Sequence, residues 1–188
     1  MFNQVIQLLL DIFVQGFAGV LLFRFLLQWL RAPMRNPVGE FIMAISDFAV
    51  LRARRYIPPM FRLDSASLLL ALVVELIYLG LTLSIDGYPF VHFPLLGLSA
   101  LSIVKLIKIS VYLLMSALVA QAILSWVNPF TPLAPLLAAI TYRFLRPIQR
   151  ILPLVGNVDL SPLVLLVICQ IILLVPLAMM ESLASRLL

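Results

Sequence analysis

The chain has 188 residues, 64% hydrophobic and 11% charged, with a formal net charge of +5 and a mean hydropathy of +1.16. Soluble globular proteins carry roughly one quarter charged residues, so this balance excludes a soluble domain and points to an all-α membrane protein, because the apolar runs lack the period-two alternation of barrel strands. One cysteine and one histidine exclude an intrachain disulfide, a multi-cysteine metal site and bis-histidine haem ligation within one subunit, and no cofactor is expected.

Four segments are long enough to cross about 30 Å of hydrocarbon, near Val5 to Leu30, Ser67 to Ile85, Leu101 to Val127 and Leu163 to Leu183. No basic region precedes the first and no small-residue cleavage site follows it, so it reads as a retained helix. Gly16 and Gly19 within it lie too close together for a small-xxx-small motif, although Gly16 leaves room for close helix approach. Asp86 to Pro94 breaks the second span from the third with Gly87, Pro89 and Pro94, and its aromatics suit a membrane interface. His92 in that turn reads as an interfacial histidine. Cys169, inside the fourth span, reads as a small core residue.

Arginines set the orientation. Arg31, Arg35, Arg52, Arg54, Arg55 and Arg62 lie between spans one and two, and Arg143, Arg146 and Arg150 between three and four. Both segments are expected in the cytoplasm, with the termini and the Asp86 turn outside. Lys105 and Lys108, at the outer end of span three, oppose this but can snorkel to headgroups.

The chain also repeats itself. Trp29 leads through Asn36-Pro37 and Arg55-Tyr56-Ile57-Pro58 to Asp64, as Trp126 leads through Asn128-Pro129 and Arg150-Ile151-Leu152-Pro153 to Asp159-Leu160-Ser161-Pro162. The tryptophans are offset by 97 residues and the later markers by 95. Two tandem copies are therefore expected, residues 1–90 and 91–188, each with two spans running in the same direction as its twin.

Each copy carries an expected cytoplasmic amphipathic segment. In the second, Leu133, Leu137, Ile140, Phe144, Ile148, Ile151 and Leu152 fall on one face at 100° per residue, and Arg143, Arg146, Gln149 and Arg150 on the other. That predicts an interfacial helix with its apolar side in the acyl boundary and its arginines toward anionic headgroups, kinked or divided at Pro147. The first is less regular. Phe41, Ile42, Ile45 and Phe48 can dock, but Arg52 stands in place of the proline and Asp47 weakens the basic face, so a solvated linker competes evenly with a docked helix.

Arg24 and Glu75 are the opposite charges deep in the first copy, and counting from Arg31 and Ser67 puts them at matching depth. The offsets turn Arg24 into Gln121 and Glu75 into Gln170. A charged pair in one copy and an amide pair in the other are expected to touch across the spans, as interhelical glue in preference to an ion path, since only one carboxylate lies so deep. The offset also turns Asp11 into Lys108, which either pair or snorkel separately. Ser161 is expected to cap the fourth span with Pro162 at its first position, and Asp64 or Ser65 to cap the second.

Trp126 with Asn128-Pro129, Leu145-Arg146-Pro147-Ile148-Gln149-Arg150-Ile151-Leu152-Pro153 and Asp159-Leu160-Ser161-Pro162 resembles the signature of the YggT family of small bacterial membrane proteins. The first copy is degenerate, with Arg52 for Pro147, Phe61 for Gly156 and Ser67 for Pro162. The resemblance implies a multi-pass protein of the bacterial inner (plasma) membrane, related to YlmG proteins and to a chloroplast factor for haem attachment to a b-type cytochrome. It also implies links to osmotic tolerance, potassium uptake and neighbouring cell-division genes, and no established enzymatic activity. The expected function is a non-enzymatic scaffold or assembly factor in envelope or membrane-protein biogenesis. The expected partners are anionic lipid, a membrane protein or a second copy, and not nucleic acid. The competing expectation is a cation transport or channel-like element.

Overall fold

In hydrocarbon every backbone N–H and C=O must be satisfied within the protein, and a continuous apolar run does this as helix. The computed structural model describes residues 2–55, 57, 64–88, 94–128, 130–152 and 159–188, with the side chain of Trp126 left out. Among them the regular structure is all helical: α1 (Phe2–Trp29), α2 (Pro37–Ala53), α3 (Ser65–Ile85), α4 (Leu95–Val127), α5 (Ala134–Gln149) and α6 (Ser161–Ser185). Four helices, α1, α3, α4 and α6, are long and apolar enough to cross a membrane.

The spans agree with expectation at their inner bounds and differ most at the start of the third. Leu95 to Ala100 already belong to α4, where Leu98 is buried and Gly97 lies against the Leu187 backbone so closely that a Cβ would come within 2.7 Å of it. Asp86 ends α3, and Gly87 turns the chain at φ 78°, where glycine alone is unstrained.

Helix α1 stops through its backbone. Arg31 takes a left-handed φ of 55°, and the N–H groups of Ala32 and Arg31 donate to the Leu27 and Gln28 carbonyls at 2.8 and 3.0 Å, closing a Schellman end. Asn36 then starts α2, accepting the Gly39 N–H at 2.9 Å with Pro37 at the first position. Gly39 is required there, since any Cβ would collide with the Met34 carbonyl.

A solvated linker is overturned for the first copy. α2 buries Gly39, Ile42, Ser46 and Val50, a stripe at helical spacing, while Phe48 stays exposed and stacks on Phe17 at 5.5 Å. α5 buries Leu136, Ile140, Thr141 and Leu145 and packs on α4 and α6. Of the expected apolar stripe only Ile140 is buried, with Leu137, Phe144 and Ile148 partly buried at the edge of the core and Ile151 exposed. Pro147 neither divides nor ends α5, which continues to Gln149. It falls in the last turn, where few intrahelical bonds remain to be lost.

α4 is central, touching α1, α3, α5 and α6. Leu27, Ile42, Ala117, Leu136 and Ile140 share one buried cluster, so side chains of α2 and α5 join those of α1 and α4 in one core. Contacts from Gln7 to Asp86, Asp11 to Tyr78 and Gln28 to Asp64 run α1 and α3 antiparallel. The exposed row Val73, Ile77 and Leu81 marks an outward apolar side of α3. Two helices widen into π turns, α6 at Leu173–Leu177, which contains Pro176, and α1 at Asp11–Gln15, which has no proline to cause it.

Candidate functional site

Polar side chains gather at two levels. At the arginine-rich end, Arg24 reaches from α1 to α2 and donates to Ser46 Oγ at 2.6 Å and Asp47 Oδ1 at 2.7 Å. Its Nε lies 3.6 Å from Asp64 Oδ2, and Arg54 donates to both oxygens of Asp64, at 3.2 and 2.7 Å. Arg24 and Asp64 are each only 4% exposed. Arg24 Nε makes no hydrogen bond and meets Asp64 as an ion pair only, while Asp47 and Arg54 carry the group out toward solvent.

This corrects the pairing of Arg24 with Glu75. Glu75 is fully buried, yet neither of its oxygens has a hydrogen bond. The matching-depth count began at Arg31 and Ser67, whereas α1 ends at Trp29 and α3 begins at Ser65. Measured from those ends, Arg24 is about 7 Å and Glu75 about 15 Å along the bundle. Asp64 does not cap α3 through its side chain. Its carboxylate belongs to the arginines.

The second half places Gln121 where Arg24 stands in the first. Thr141 donates to Gln121 Oε1 at 2.6 Å, and the Gln149 amide donates to Asp159 Oδ2 at 2.8 Å. Ser46 and Thr141 are 95 residues apart, as are Arg54 and Gln149, and Asp64 and Asp159. Gln170 is not part of a polar layer. It is exposed and borders a shallow outward groove with Met115, Val119 and Leu174. Nor does Ser161 cap α6: Asp159 Oδ1 accepts the Ser161 N–H at 2.9 Å, Ser161 is itself helical, and Pro162 sits in the first turn. Ser161 and then Gln149, opposed by a smaller effect of burial, hold the Asp159 carboxyl below the usual carboxylate range.

The second level lies toward the Asp86 turn. A cleft of about 460 Å³ opens between α1 and α4, lined by Asp11, Gln15, Lys105, Lys108, Tyr112 and Glu181, with Gly16 and Gly19 in its wall. Asp11 and Lys108 share this cleft without pairing: Tyr78 donates to Asp11 at 2.6 Å, and Lys108 donates to Glu181 at 2.9 Å. The lysines are thus engaged within the protein, with Lys105 5.1 Å over the Tyr78 ring. Lys105 and Gln15 are also the polar groups acting on Glu75. Asp11 and Glu181 border this cleft, whereas Glu75 is fully buried and outside its lining.

Arg143, Arg146 and Arg150 are exposed on α5. Arg143 lies 4.9 Å over the Trp29 ring and Arg146 5.8 Å over Tyr142. Beneath Arg143, Phe23, Leu26, Trp29, Leu114, Ile140 and Phe144 line an apolar pocket of about 300 Å³. Asn128 ends α4 and accepts the Phe130 N–H at 3.1 Å. Cys169 is buried beside Leu118 and Leu165. Pro129, Pro153, His92 and the Trp126 side chain lie outside the described residues. Among the described residues no group of three or more His, Cys, Asp or Glu is placed to hold a metal ion.

Sequence reasoning missed Ser46, Asp47 and Thr141, and the link from Gln15 and Lys105 to Glu75. The 95-residue offset between Ser46 and Thr141 was the available signal for the first group.

The CCB3/YggT family model matches residues 3–85 and again 100–180. Escherichia coli YggT is 32% identical over 166 residues, covering 87% of this chain and 85% of its own. A Pseudomonas aeruginosa protein is 33% identical over 146 residues, covering 77% and 74%, and a Vibrio alginolyticus protein from the proC 3′ region is 32% identical over 163 residues, covering 86% and 85%. No solved structure matches the chain.

Proposed function

The chain belongs to the CCB3/YggT family, and from that premise we propose that it is a non-enzymatic scaffold or assembly factor of the bacterial inner membrane. In this reading two tandem parallel repeats hold two helices, of which α5 is basic, against the cytoplasmic ends of the spans. The observation that carries it is the fastening of those helices. Arg24 to Ser46 in one half and Gln121 to Thr141 in the other, with Arg54 to Asp64 and Gln149 to Asp159, bind α2 and α5 to the spans at corresponding points. A helix fixed through buried polar groups presents a constant surface, which suits docking. The exposed Arg143, Arg146 and Arg150 face supplies charge for anionic headgroups, and the apolar pocket beneath Arg143 has the polarity of an acyl chain.

The competing reading, a cation transport or channel-like element, is favoured by the mixed-charge cleft. Against an open conduit stands an apolar layer of Leu21, Leu22, Ala71 and Leu106 between Arg24 and Glu75. Mass determination of the protein released from native lipid separates the two. A stoichiometric membrane-protein partner supports the scaffold; a homo-oligomer without partner, together with cation flux in vesicles, replaces it with the conduit. Single-cysteine labelling on a Cys169→Ser background should reach position 87 from outside and position 149 only from within. The opposite pattern overturns the orientation.

A further inference from the structure

Among the described residues Glu75 is the one buried carboxyl without a hydrogen bond. Lys105 of α4 is the charged group that acts on it, with Gln15 of α1. Lys105 belongs to the cleft that Asp11 of α1, Lys108 and Tyr112 of α4 and Glu181 of α6 also line, and Arg24, farther down α1, is engaged with Asp47 of α2. Tyr78 lies on Glu75's own helix. Lys108 and Glu181 neutralise each other at 2.9 Å. Asp11 accepts from the Tyr78 hydroxyl, and the charges of the cleft lining balance, Asp11 and Glu181 against Lys105 and Lys108. An ionised Glu75 behind that lining would therefore add a negative charge with no cation left over for it. An unpaired ionised carboxylate at helix-centre depth is strongly disfavoured, and the smallest ligand that removes its charge is a proton.

Access is one-sided. Gln15 and Lys105 line the cleft and act on Glu75, and Gly19 keeps the wall open, with no heavy atom within 4 Å of where its Cβ would lie. In the other direction, one turn from Glu75, Ala71 packs with Leu21, Leu22 and Leu106 in a dry cluster. The π turn at Asp11–Gln15 begins and ends on cleft-lining residues, as such turns often do at functional sites. We propose that Glu75 is a proton-binding site served by the cleft between α1 and α4 and closed toward Arg24. The proton comes from cleft water to a carboxylate oxygen and returns the same way, and no other bond changes. This goes beyond the scaffold reading and holds whether or not that reading survives.

Infrared difference spectroscopy of the full chain in lipid nanodiscs tests it. A carbonyl band of a protonated carboxyl should be present at acid pH, disappear as the pH is raised, and be missing in Glu75→Gln. Lys105→Met should carry the disappearance upward by about one pH unit, a tenfold change in proton affinity. Gly19→Phe, which fills the cleft, should slow deuterium exchange of the band at least about tenfold while leaving the thermal midpoint in place. A band that ignores pH and deuterium marks a sealed structural acid and overturns the proposal, as does a band that survives Glu75→Gln or is absent throughout. A titration indifferent to Lys105→Met and Gly19→Phe overturns the role of the cleft. Lys105→Met reads the native Glu75, so the test stands even if Glu75→Gln fails to fold.

Discussion

Arg54 closes two hydrogen bonds onto Asp64, at 3.2 and 2.7 Å, and thereby joins the end of α2 to the start of α3. The same carboxylate lies 3.6 Å from Arg24, so it serves two cations, one half-exposed and one buried. Their substitutions should differ accordingly. Asp64→Asn leaves buried Arg24 short of charge and should cost about 3 kcal/mol. Arg54→Gln, the residue found at 149, should cost about 1 kcal/mol or less, because the Arg54 side chain is 41% exposed. Thermal unfolding in detergent orders the two, and equal losses would deny Asp64 its central place.

Arg24 and Glu75 should act independently. The thermal effects of Arg24→Gln and Glu75→Gln are expected to add within about 0.5 kcal/mol, whereas Arg24→Gln and Asp47→Asn should couple by more than that, since they share a 2.7 Å bond. Coupling between the first pair would restore the contact that the structure replaces.

The four spans were legible because apolar length is a property of the sequence alone, and their ends moved by few residues. The Arg24 pairing was not. Depth counted along a helix ignores where a long guanidinium stem reaches, and Asp47 and Asp64, each taken alone, read as a surface residue and a cap. Gln170 failed differently. The 95-residue offset pairs it with Glu75, but on α6 it faces outward. Whether a repeat-related position is buried depends on which helices surround it, and α4 lies at the centre while α1 does not.

Asp159 gives a pH signature. Its carboxyl is held below the usual range by Ser161 and Gln149, so it binds protons less readily folded than unfolded. Its contribution is present above the unfolded value of about 3.9 and is lost as pH falls through the lower folded value. The thermal midpoint should therefore drop below about pH 4, and Asp159→Asn should flatten that part of the profile. An unchanged profile would place the acid sensitivity elsewhere.

Arg31 occupies a left-handed conformation at φ 55°, which costs a side-chain-bearing residue roughly 1–2 kcal/mol relative to glycine. Arg31→Gly should raise stability by about 1 kcal/mol, because the Ala32 and Arg31 backbone bonds that end α1 need no arginine. A loss of stability would mean that the guanidinium contributes more than the strain removes.

The π turn of α1 also has a historical meaning. One extra residue absorbed locally leaves the rest of a helix facing as before, so the turn at Asp11–Gln15 has the form of an insertion that selection kept without disturbing Leu21, Arg24 and Leu27 downstream. The segment before it, Phe2 to Leu10, then keeps its own face as well, and the extra residue is confined to the turn. Relatives that lack it would run unbroken α-helix through this stretch. Comparing the length of this segment across the family thus dates the cleft against the bundle that contains it.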